Sequence, residues 1–417
     1  MSVNSVAKQY RLRSVIDRVV DYRGVTPTKL GFEWEDAKTG IPAVSALNIK
    51  SNNLVKRDEM NYVSDALYAT WMRQVLEPGD LLLTSEAPLG EMYIVKENDK
   101  LCLSQRVFGL RTKKDMIEPK YLYYCLSSSL GQYRLYRRSS GSTAKGIRAT
   151  ELMQVEIDLP ELTKQKKISA YLDDKIAIID NMLAAKNKTR KHLSELRHSI
   201  ITEMIYPVSS INDLNDTDQL YRHLISQDSG TWGEDPNGIN DVKCLRVADF
   251  NYEQLSHRLP QTARSIAPAH FQTKILKQGD ILIEKSGGGE KTPVGRAVIV
   301  GELNEVTTYA NFIDRLRFKN SVLPEYALFL LYAMYSGGIN SKYIKQNTGI
   351  QNLDIKHYLM EPVMIPNIEK QNDSVKKIKT RLHKLDLSSG GLEESISYLK
   401  EYRSSLISSV MAGKVKV

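Results

Sequence analysis

Two long stretches of the chain carry apolar residues at the spacing of one helix face. The apolar positions follow one another three or four residues apart, with charged residues on both sides. They are Ile168, Leu172, Ile176, Ile179 and Leu183 in the first stretch, and Val375, Ile378, Leu382 and Leu385 in the second. One such stripe per helix is typical of a coiled-coil seam. Because a lone amphipathic helix cannot bury its stripe, the pattern predicts that the two helices pack on each other.

The beginning of each long helix is written in similar residues. "LPELTKQKKISAYLDDKI" starts at Leu159 and "IPNIEKQNDSVKKIKTRL" starts at Ile365, an offset of 206 residues. "ELRHSII" and "EYRSSLI", farther along, keep the same offset. Between about residues 101 and 204 we expect the two copies to align without a gap. A match of this length predicts an internal repeat.

A strand-rich segment precedes each helix. "VLEPGDLLLTSEAPLGEMYIV" is similar to "ILKQGDILIEKSGGGEKTPVGRAVIV", and Gly79 matches Gly279 at an offset of 200. In both copies short runs of β-branched and other apolar residues follow a Gly-Asp turn, which predicts strands. The six additional residues of the second copy are expected in "KSGGGEKTPVGR". A helical stretch that opens with proline follows in each copy.

These patterns predict an α+β protein with a duplicated architecture. Two tandem globular domains are separated by two long helices, which form an antiparallel coiled coil with pseudo-twofold symmetry. The predicted boundaries are 1–160 and 207–366 for the globular domains, 161–206 for the central spacer helix and 367–417 for the C-terminal spacer helix.

The two spacer helices are predicted to be long and to differ at one point. The 41 residues from Lys164 to Met204 would span ~60 Å as a helix. The second stretch contains "LSSGG" at 387–391, where the first has "NMLAA". Two glycines inside a helix cost ~1 kcal/mol each relative to alanine, so a kink or a break is expected there.

Composition and charge favour an acidic partner. The chain has 417 residues, enough for two or three domains, and a formal net charge of +9 with a pI near 9.1. Its three cysteines, Cys102, Cys125 and Cys244, are far apart, which argues against a disulfide framework or a zinc knuckle. The sequence shows neither an apolar signal core nor an 18-residue uncharged apolar run, so we expect a cytoplasmic protein without a membrane span.

The motifs of several enzyme classes are missing from the sequence. It contains no phosphate-binding G-x-x-x-x-G-K-[ST], no H-E-x-x-H and no [DN]-P-P-[YF] of DNA amino-methyltransferases. A nuclease site at Asp280, Glu284 and Lys285 is disfavoured, because adjacent strand residues point to opposite faces. We therefore predict no catalytic, cofactor-binding or metal-binding residues in this chain.

Two segments at equivalent places in the repeat lack acidic residues. They run from Pro119 to Thr150 and from Tyr326 to Leu353, and both are rich in basic, amide and hydroxyl side chains. Such side chains can bind phosphates and base edges, although a solvated basic loop has the same composition. With the loops after the Gly-Asp strands, the candidate DNA-binding residues are Ser85, Arg137, Arg138, Lys145 and Arg148, and Lys285, Ser286, Lys345, Gln346 and Gln351.

The whole arrangement resembles the specificity (S) subunit of type I restriction–modification enzymes. The resemblance is carried by "YRGVTP", the Gly-Asp strands, "GSTAKGIRATELMQVEIDLPELTKQKKI", its counterpart "QNTGIQNLDIKHYLMEPVMIPNIEKQNDSV" and the terminal "LISSVMAGKVKV". It implies two target-recognition domains, each reading one half of a split site in double-stranded DNA, with the helices setting the gap.

The resemblance also implies partners and a division of labour. Two methyltransferase subunits would dock on the helices, and restriction–translocase subunits would join them. S-adenosylmethionine, ATP and Mg²⁺ are expected in those partner subunits, and the S subunit itself would be non-catalytic.

Two other functions remain open from the sequence. A coiled-coil scaffold could hold two protein clients without touching DNA, and the absent catalytic motifs suit it equally. A fused methyltransferase or nuclease is disfavoured by the same absence. The acid-free segments favour the DNA-binding hypothesis over the scaffold.

Overall fold

The computed structural model describes residues 8–35, 39–142, 144–205, 217–290, 292–347 and 349–417. The chain divides into two compact units. Unit 1 comprises residues 1–187 and 394–417, and unit 2 comprises 188–393. The predicted domain boundary between residues 206 and 207 lies outside the described residues.

Unit 1 contains two main sheets and begins the first long helix. Its described strands are β1 Lys8–Arg11, β2 Ile16–Asp21, β3 Ile41–Val44, β4 Ile49–Lys50, β5 Asn53–Leu54, β6 Asn61–Val63, β7 Leu81–Thr84, β8 Met92–Ile94, β9 Cys102–Leu103, β10 Val107–Thr112 and β11 Glu156–Leu159. Its helices are α1 Leu12–Val15, α2 Asp65–Trp71, α3 Pro119–Ser127, α4 Ser129–Arg137, α5 Ala149–Leu152 and α6 Leu162–Ile205, which continues into unit 2. The strand orders are β2-β10-β7-β8 and β6-β3-β9, with the smaller pairs β1-β11 and β4-β5.

Unit 2 repeats this topology. Its described strands are β12 Thr217–Asp218, β13 Leu224–Ser229, β14 Asp241–Leu245, β15 Phe250–Asn251, β16 Ser256–His257, β17 Ala263–Ser265, β18 Ile281–Glu284, β19 Ser286–Gly287, β20 Ala297–Ile299, β21 Thr307–Tyr309, β22 Ile313–Phe318, β23 Ile344–Asn347, β24 Ile350–Leu353 and β25 Val363–Met364. Its helices are α7 Pro268–Phe271, α8 Pro324–Ser336, α9 Ile355–Tyr358 and α10 Ile368–Met411, which continues into unit 1. The orders β13-β22-β18-β20 and β17-β14-β21 match those of unit 1, and β19-β24-β23 is an additional sheet.

The Gly-Asp turn holds the same buried ion pair in each unit. Asp80 accepts two hydrogen bonds from Arg111, at 3.0 and 2.8 Å, and Asp280 accepts two from Arg317, at 2.7 and 2.6 Å. Both carboxylates are almost fully buried. A buried carboxylate needs such a bidentate partner to offset its lost hydration. The predicted Gly-Asp repeat is thus a structural motif. Its ion pair joins the start of β7 to β10 in unit 1 and the start of β18 to β22 in unit 2.

A buried glutamine fixes the junction between each globular part and its long helix. Gln165 accepts the N–H of Glu118 at 3.0 Å, and Gln371 accepts the N–H of Leu323 at 2.9 Å. Each glutamine also donates to the proline carbonyl five residues earlier, at 2.9 and 2.7 Å. Because these amides are fully buried, removing either side chain would leave backbone groups unpaired.

The apolar stripes of α6 and α10 are buried within each unit. In unit 1 the stripe residues of α6 lie in one cluster with Ile407 and Val410 of α10. In unit 2 the residues Val375 to Leu385 of the second stripe lie in one cluster with Ile200 and neighbouring residues of α6. The ion pairs Arg190–Glu393 and Arg197–Asp386 run in opposite chain directions, so the helices are antiparallel. This confirms the predicted α+β fold with an antiparallel helix pair.

One interhelical ion pair occurs once in each unit. Asp180 accepts a 2.9 Å hydrogen bond from Arg403 in unit 1, and Asp386 pairs with Arg197 in unit 2. Asp180 and Asp386 are 206 residues apart, as are Arg197 and Arg403. The arginine side chains are largely buried, which strengthens their attraction to the carboxylates. The duplicated sequence therefore sets the same helix register in both units.

The glycines of "LSSGG" do not interrupt the second long helix. Helix α10 is continuous from Ile368 to Met411, so the predicted break is wrong. Leu385 and Ile396 are buried on either side of the exposed pair Gly390 and Gly391. Their burial offsets the ~1 kcal/mol that each glycine costs.

The expectation of a gapless alignment between residues 101 and 204 is also wrong. The hydroxyl of Tyr121 donates to the Asp158 carbonyl at 2.8 Å, and that of Tyr326 donates to the Met364 carbonyl at 3.1 Å. The tyrosines are 205 residues apart, whereas the carbonyls are 206 apart. Unit 1 has one more residue in the turn after its central strand, where a surface loop tolerates an insertion.

No helix among the described residues is long and apolar enough to span a membrane.

The two helix glycines give a stability prediction. A Cβ at Gly390 or Gly391 meets no atom within 4 Å, and neither residue has a positive φ. Alanine at both positions should therefore raise the free energy of unfolding by ~1–2 kcal/mol, measured by denaturant titration. The matched control is the helix glycine Gly131, whose added Cβ would lie 2.1 Å from the Cys125 carbonyl oxygen. G131A should lower the stability by ~1–3 kcal/mol. Destabilisation by G390A/G391A would contradict this account of the helix.

Candidate nucleic-acid interface

In unit 1 backbone hydrogen bonds join the loop after β7 to the acid-free segment that runs from Pro119 to Thr150. The N–H of Ser85 donates to the Arg106 carbonyl at 2.7 Å, and the N–H of Ile147 donates to the Ser85 carbonyl at 2.9 Å. Ser140 and Gly146 exchange two bonds, at 2.8 and 2.9 Å, which close a hairpin. We call Ser85, Glu86 and residues 137–142 and 144–148 the unit 1 patch.

Cations and tyrosines cover the unit 1 patch. Arg137 lies over the ring of Tyr133 at 5.8 Å, and Lys145 lies over that of Tyr136 at 5.5 Å. Both tyrosines are more than half exposed. The exposed Arg148 adds a further positive charge. Phosphate groups are attracted by such a cluster, and exposed aromatic faces can pack on sugars or bases.

A cleft of about 350 Å³ opens beside these cations. It is lined by Arg134, Arg137, Arg138 and Glu156. Arg134 donates to the Glu156 carbonyl at 3.0 Å, and Arg138 pairs with Glu151 at 3.3 Å. Two of its three arginines are therefore held by the protein itself, which orients their guanidinium groups.

Unit 2 builds the same framework as a small sheet. The N–H of Lys285 donates to the Phe312 carbonyl at 2.8 Å, and the N–H of Leu353 donates to the Lys285 carbonyl at 2.8 Å. Phe312 matches Arg106 at the offset of 206. Strand β24 pairs with β19 on one side and with β23 on the other. We call residues 285–287, 344–347 and 349–353 the unit 2 patch.

The side chains of the unit 2 patch divide into supporting and exposed groups. Ser286 donates to the amide oxygen of Asn352 at 2.6 Å, and the buried Gln351 accepts the N–H of Val294 at 3.3 Å. Lys345 and Gln346 are exposed on β23. Hydrogen bonds from hydroxyl and amide groups thus hold the sheet, and the side chains of Lys345 and Gln346 face solvent.

Asp354 anchors the end of the unit 2 patch. Hydrogen bonds from His357 and Lys345, both at 3.0 Å, lower the pKa of its carboxyl to about 2. The carboxylate therefore stays ionised throughout the neutral range and continues to pair with Lys345 of β23.

The structure brings the ten predicted residues together in these two patches, five in each. On the surface are Arg137, Lys145, Arg148, Lys345 and Gln346, whereas Arg138 and Lys285 are half-buried and Ser85, Ser286 and Gln351 are buried. Their role in binding DNA stays a prediction.

The residues considered for a nuclease have structural partners instead. Glu284 accepts two bonds from Arg296, at 2.9 and 3.2 Å, as Asp280 does from Arg317. Both carboxylates are buried. Asp280 directly precedes β18 and Glu284 ends it, so both carboxylates are used to hold that strand.

Two features at the patches were not among the sequence candidates. Arg23, in the turn after β2, reaches the unit 1 patch, and its Nη1 lies 3.5 Å from the Ile147 carbonyl. Phe312 and Ile350 are about half exposed at the unit 2 patch. Arg23 does not lie in an acid-free segment, because Asp21 stands two residues before it.

A family model matches the first part of the chain. Residues 33–189 match the type I restriction modification DNA specificity domain. The match places a DNA specificity domain in the first part of the chain, and the chain is similar to the specificity (S) subunits of type I restriction–modification enzymes. The match supports the predicted recognition of DNA sequence, and the homologous specificity subunits are non-catalytic, which agrees with the predicted lack of enzyme activity.

Individual relatives agree with this assignment. The MjaVIII specificity subunit of Methanocaldococcus jannaschii is 20% identical over 81% of this chain and 79% of its own length. The StySPI specificity subunit of Salmonella potsdam is 19% identical over 94% and 86%. The MjaIX specificity subunit of M. jannaschii is 27% identical, but the match spans 46% of this chain and less than half, 43%, of that protein.

A solved structure shares the fold. A chain from a study of complex assembly and conformational transition in a type I restriction–modification system superposes with a TM-score of 0.65. It is 16% identical, and the match covers 99% of each chain.

The hairpin of the unit 1 patch depends on one glycine. Gly141 has a φ of +109°, and an added Cβ would lie 2.1 Å from the Ala144 carbonyl oxygen. G141A should therefore open the hairpin and speed amide hydrogen exchange at Ser140, Gly146 and Ile147, measured by mass spectrometry.

The control for this variant is G289A in unit 2, where a Cβ meets no atom within 4 Å and φ is not positive. Its exchange pattern should match that of the native protein. Unchanged exchange in G141A would show that the hairpin does not need this glycine.

Proposed function

We propose that this chain is an S subunit that reads a bipartite site in double-stranded DNA, the unit 1 patch contacting one half and the unit 2 patch the other. The observation that supports this most strongly is the repeated backbone framework. In each unit the loop after the Gly-Asp strand bonds to residue 106 or 312 and to the segment before the long helix. The same scaffold then presents different side chains, as two different half-sites would require.

The side chains of the patches suit both kinds of DNA contact. Arg137, Lys145 and Arg148 are exposed cations that can bind backbone phosphates. Gln346, on β23, offers an amide that can bond an adenine edge in the major groove. Phosphate contacts fix the position of the protein, and base contacts supply the specificity.

The long helices would set the gap between the half-sites. Each has 44 residues and is ~66 Å long, which exceeds one DNA turn of ~34 Å. Helix length and register would therefore decide which gap length is recognised.

The helices would also bind two methyltransferase subunits. Within unit 1 they carry large apolar side chains that are at least half exposed: Ile178, Met182, Tyr398 and Tyr402. Such side chains are typical of a surface that a partner covers. Methylation and cleavage would be carried out by methyltransferase and restriction–translocase subunits, which would bring S-adenosylmethionine, ATP and Mg²⁺.

The arginines of the unit 1 patch test DNA binding. R137A/R138A should weaken binding of a target duplex by the assembled methyltransferase ~10-fold or more at ~100 mM salt. The slope of log affinity against log salt should also become shallower by ~1–2. Fluorescence anisotropy at several salt concentrations measures both quantities.

The scaffold alternative predicts a different outcome for the same variant. Assembly with the methyltransferase should remain unchanged by size-exclusion chromatography in either case. A scaffold that touches no DNA would also keep its target choice and affinity. An unaltered affinity and salt slope would therefore contradict the proposed function.

A further inference from the structure

Arg23 is held rigidly at the edge of the unit 1 patch. Its guanidinium carbon lies 3.9 Å from the ring centroid of the buried Phe108. Its Nε and Nη2 each donate to a different carboxylate oxygen of Asp21, at 2.8 Å. A planar group that is stacked on a ring and paired with a carboxylate loses little freedom when it binds a further acceptor.

The outer end of this guanidinium remains available. The side fork, Nε with Nη2, is used by Asp21. Within the part of the chain that the structure describes, the remaining contact of the end fork is the 3.5 Å bond from Nη1 to Ile147. Since the side chain is 30% exposed, Nη1 and Nη2 can donate to a ligand at the unit 1 patch.

Lys285 has an equivalent environment in unit 2. Its ammonium group donates to the hydroxyl of Ser229 at 2.7 Å and pairs with the buried Asp314 at 3.3 Å. Its side chain is 28% exposed, close to the value for Arg23. Two of its three N–H donors are used, which leaves one for a ligand.

The sheet register shows that the two cations lie at the same place in the repeat. Asp21 pairs across the sheet with Phe108 in unit 1, and Ser229 pairs with Asp314 in unit 2. Each cation therefore contacts both members of one cross-strand pair. The carboxylate stands on β2 in unit 1 and on β22 in unit 2, and the cation comes from the turn after β2 or from the loop after β18.

We propose that Arg23 reads a base edge in the half-site of unit 1, in the position that Lys285 occupies for unit 2. This inference rests on the proposed function and adds to it a residue that lies outside the acid-free segments. The ligand is a pair of hydrogen-bond acceptors on one base, such as O6 and N7 of guanine in the major groove.

The carboxylate favours a base edge over a phosphate as the ligand. Asp21 already neutralises the charge of Arg23, so binding here would release few counterions and add little non-specific attraction. The same carboxylate fixes the plane of the guanidinium, and a fixed plane is what a bidentate base contact needs.

The test measures target and unrelated duplexes side by side. The S subunit is assembled with its methyltransferase, and the target duplex is taken from the motif methylated in the host genome. R23A should lower the affinity for the target duplex roughly 5- to 100-fold. The affinity for an unrelated duplex and the salt slope should stay unchanged.

Two variants serve as controls. R18A removes an exposed cation from β2, the strand that precedes Arg23, and should leave both affinities unchanged. R23Q keeps an apolar stem and an amide that can bond Asp21, so it replaces R23A if that variant has a lower melting temperature. An equal loss for both duplexes with a shallower salt slope would assign Arg23 to a phosphate and overturn the base-reading claim.

A second substitution can place a cation in the unit 1 loop after β7, which corresponds to the unit 2 loop that carries Lys285. Ser85 matches Lys285 at the offset of 200, and Asp21 stands where Ser229 bonds that lysine. In R23A/S85K the new ammonium group should reach Asp21 and recover about tenfold or more of the lost target affinity. R23A/S85A should recover nothing, and an equal recovery in both double variants would contradict the equivalence of the two positions.

A comparison of R23A with K285A and R137A/R138A separates this inference from the proposed function. If R23A binds like the native complex while K285A and R137A/R138A lose affinity, the inference about Arg23 is wrong and the S subunit still reads DNA. If all of these variants bind the target like the native complex, the proposed function itself fails.

Discussion

Neither long helix can bury its apolar stripe alone, and this constraint organises the whole molecule. Within each unit, part of α6 packs against part of α10 in antiparallel register. The ion pairs Asp180–Arg403 and Arg197–Asp386 set that register with repeated residues. The globular parts are joined to the helices through Gln165 and Gln371, whose buried amides leave little room for another arrangement. The position of each patch therefore depends on the pairing of the helices.

The duplication separates a constant framework from a variable surface. Asp80 with Arg111 repeats as Asp280 with Arg317, bond for bond. At the patches the matched positions differ, since the buried Ser85 corresponds to the half-buried Lys285. A framework whose buried polar groups are all needed resists substitution, whereas exposed loop residues change at little cost in stability. This division suits a protein that must hold its geometry and change its target.

The sequence predicted the elements that depend on periodicity. Stripes of apolar residues and a constant offset were sufficient for the two long helices, their antiparallel pairing and the duplicated α+β units. The loop after β7 was a candidate because it follows the Gly-Asp strand, and the segment before α6 because it carries cations without acids. The structure brings the two together. These features can be predicted because local spacing and repetition leave direct traces in the chain.

Other features depend on tertiary contacts that leave no local pattern. Helix α10 continues through Gly390 and Gly391 because packing on both sides outweighs their low propensity. The burial of Ser85 and Gln351 follows from how the loops pair, which composition does not reveal. Arg23 lies outside the acid-free segments because Asp21, the residue that orients its guanidinium group, stands two positions before it in the chain.

The central claim is that two similar units read two separate stretches of DNA at a set distance. Mapping the methylated bases in the genome of the host, with and without this chain, tests it most directly. The account predicts a methylated motif of two specified blocks separated by a gap of fixed length and free sequence. A single contiguous motif that depends on this subunit would contradict it.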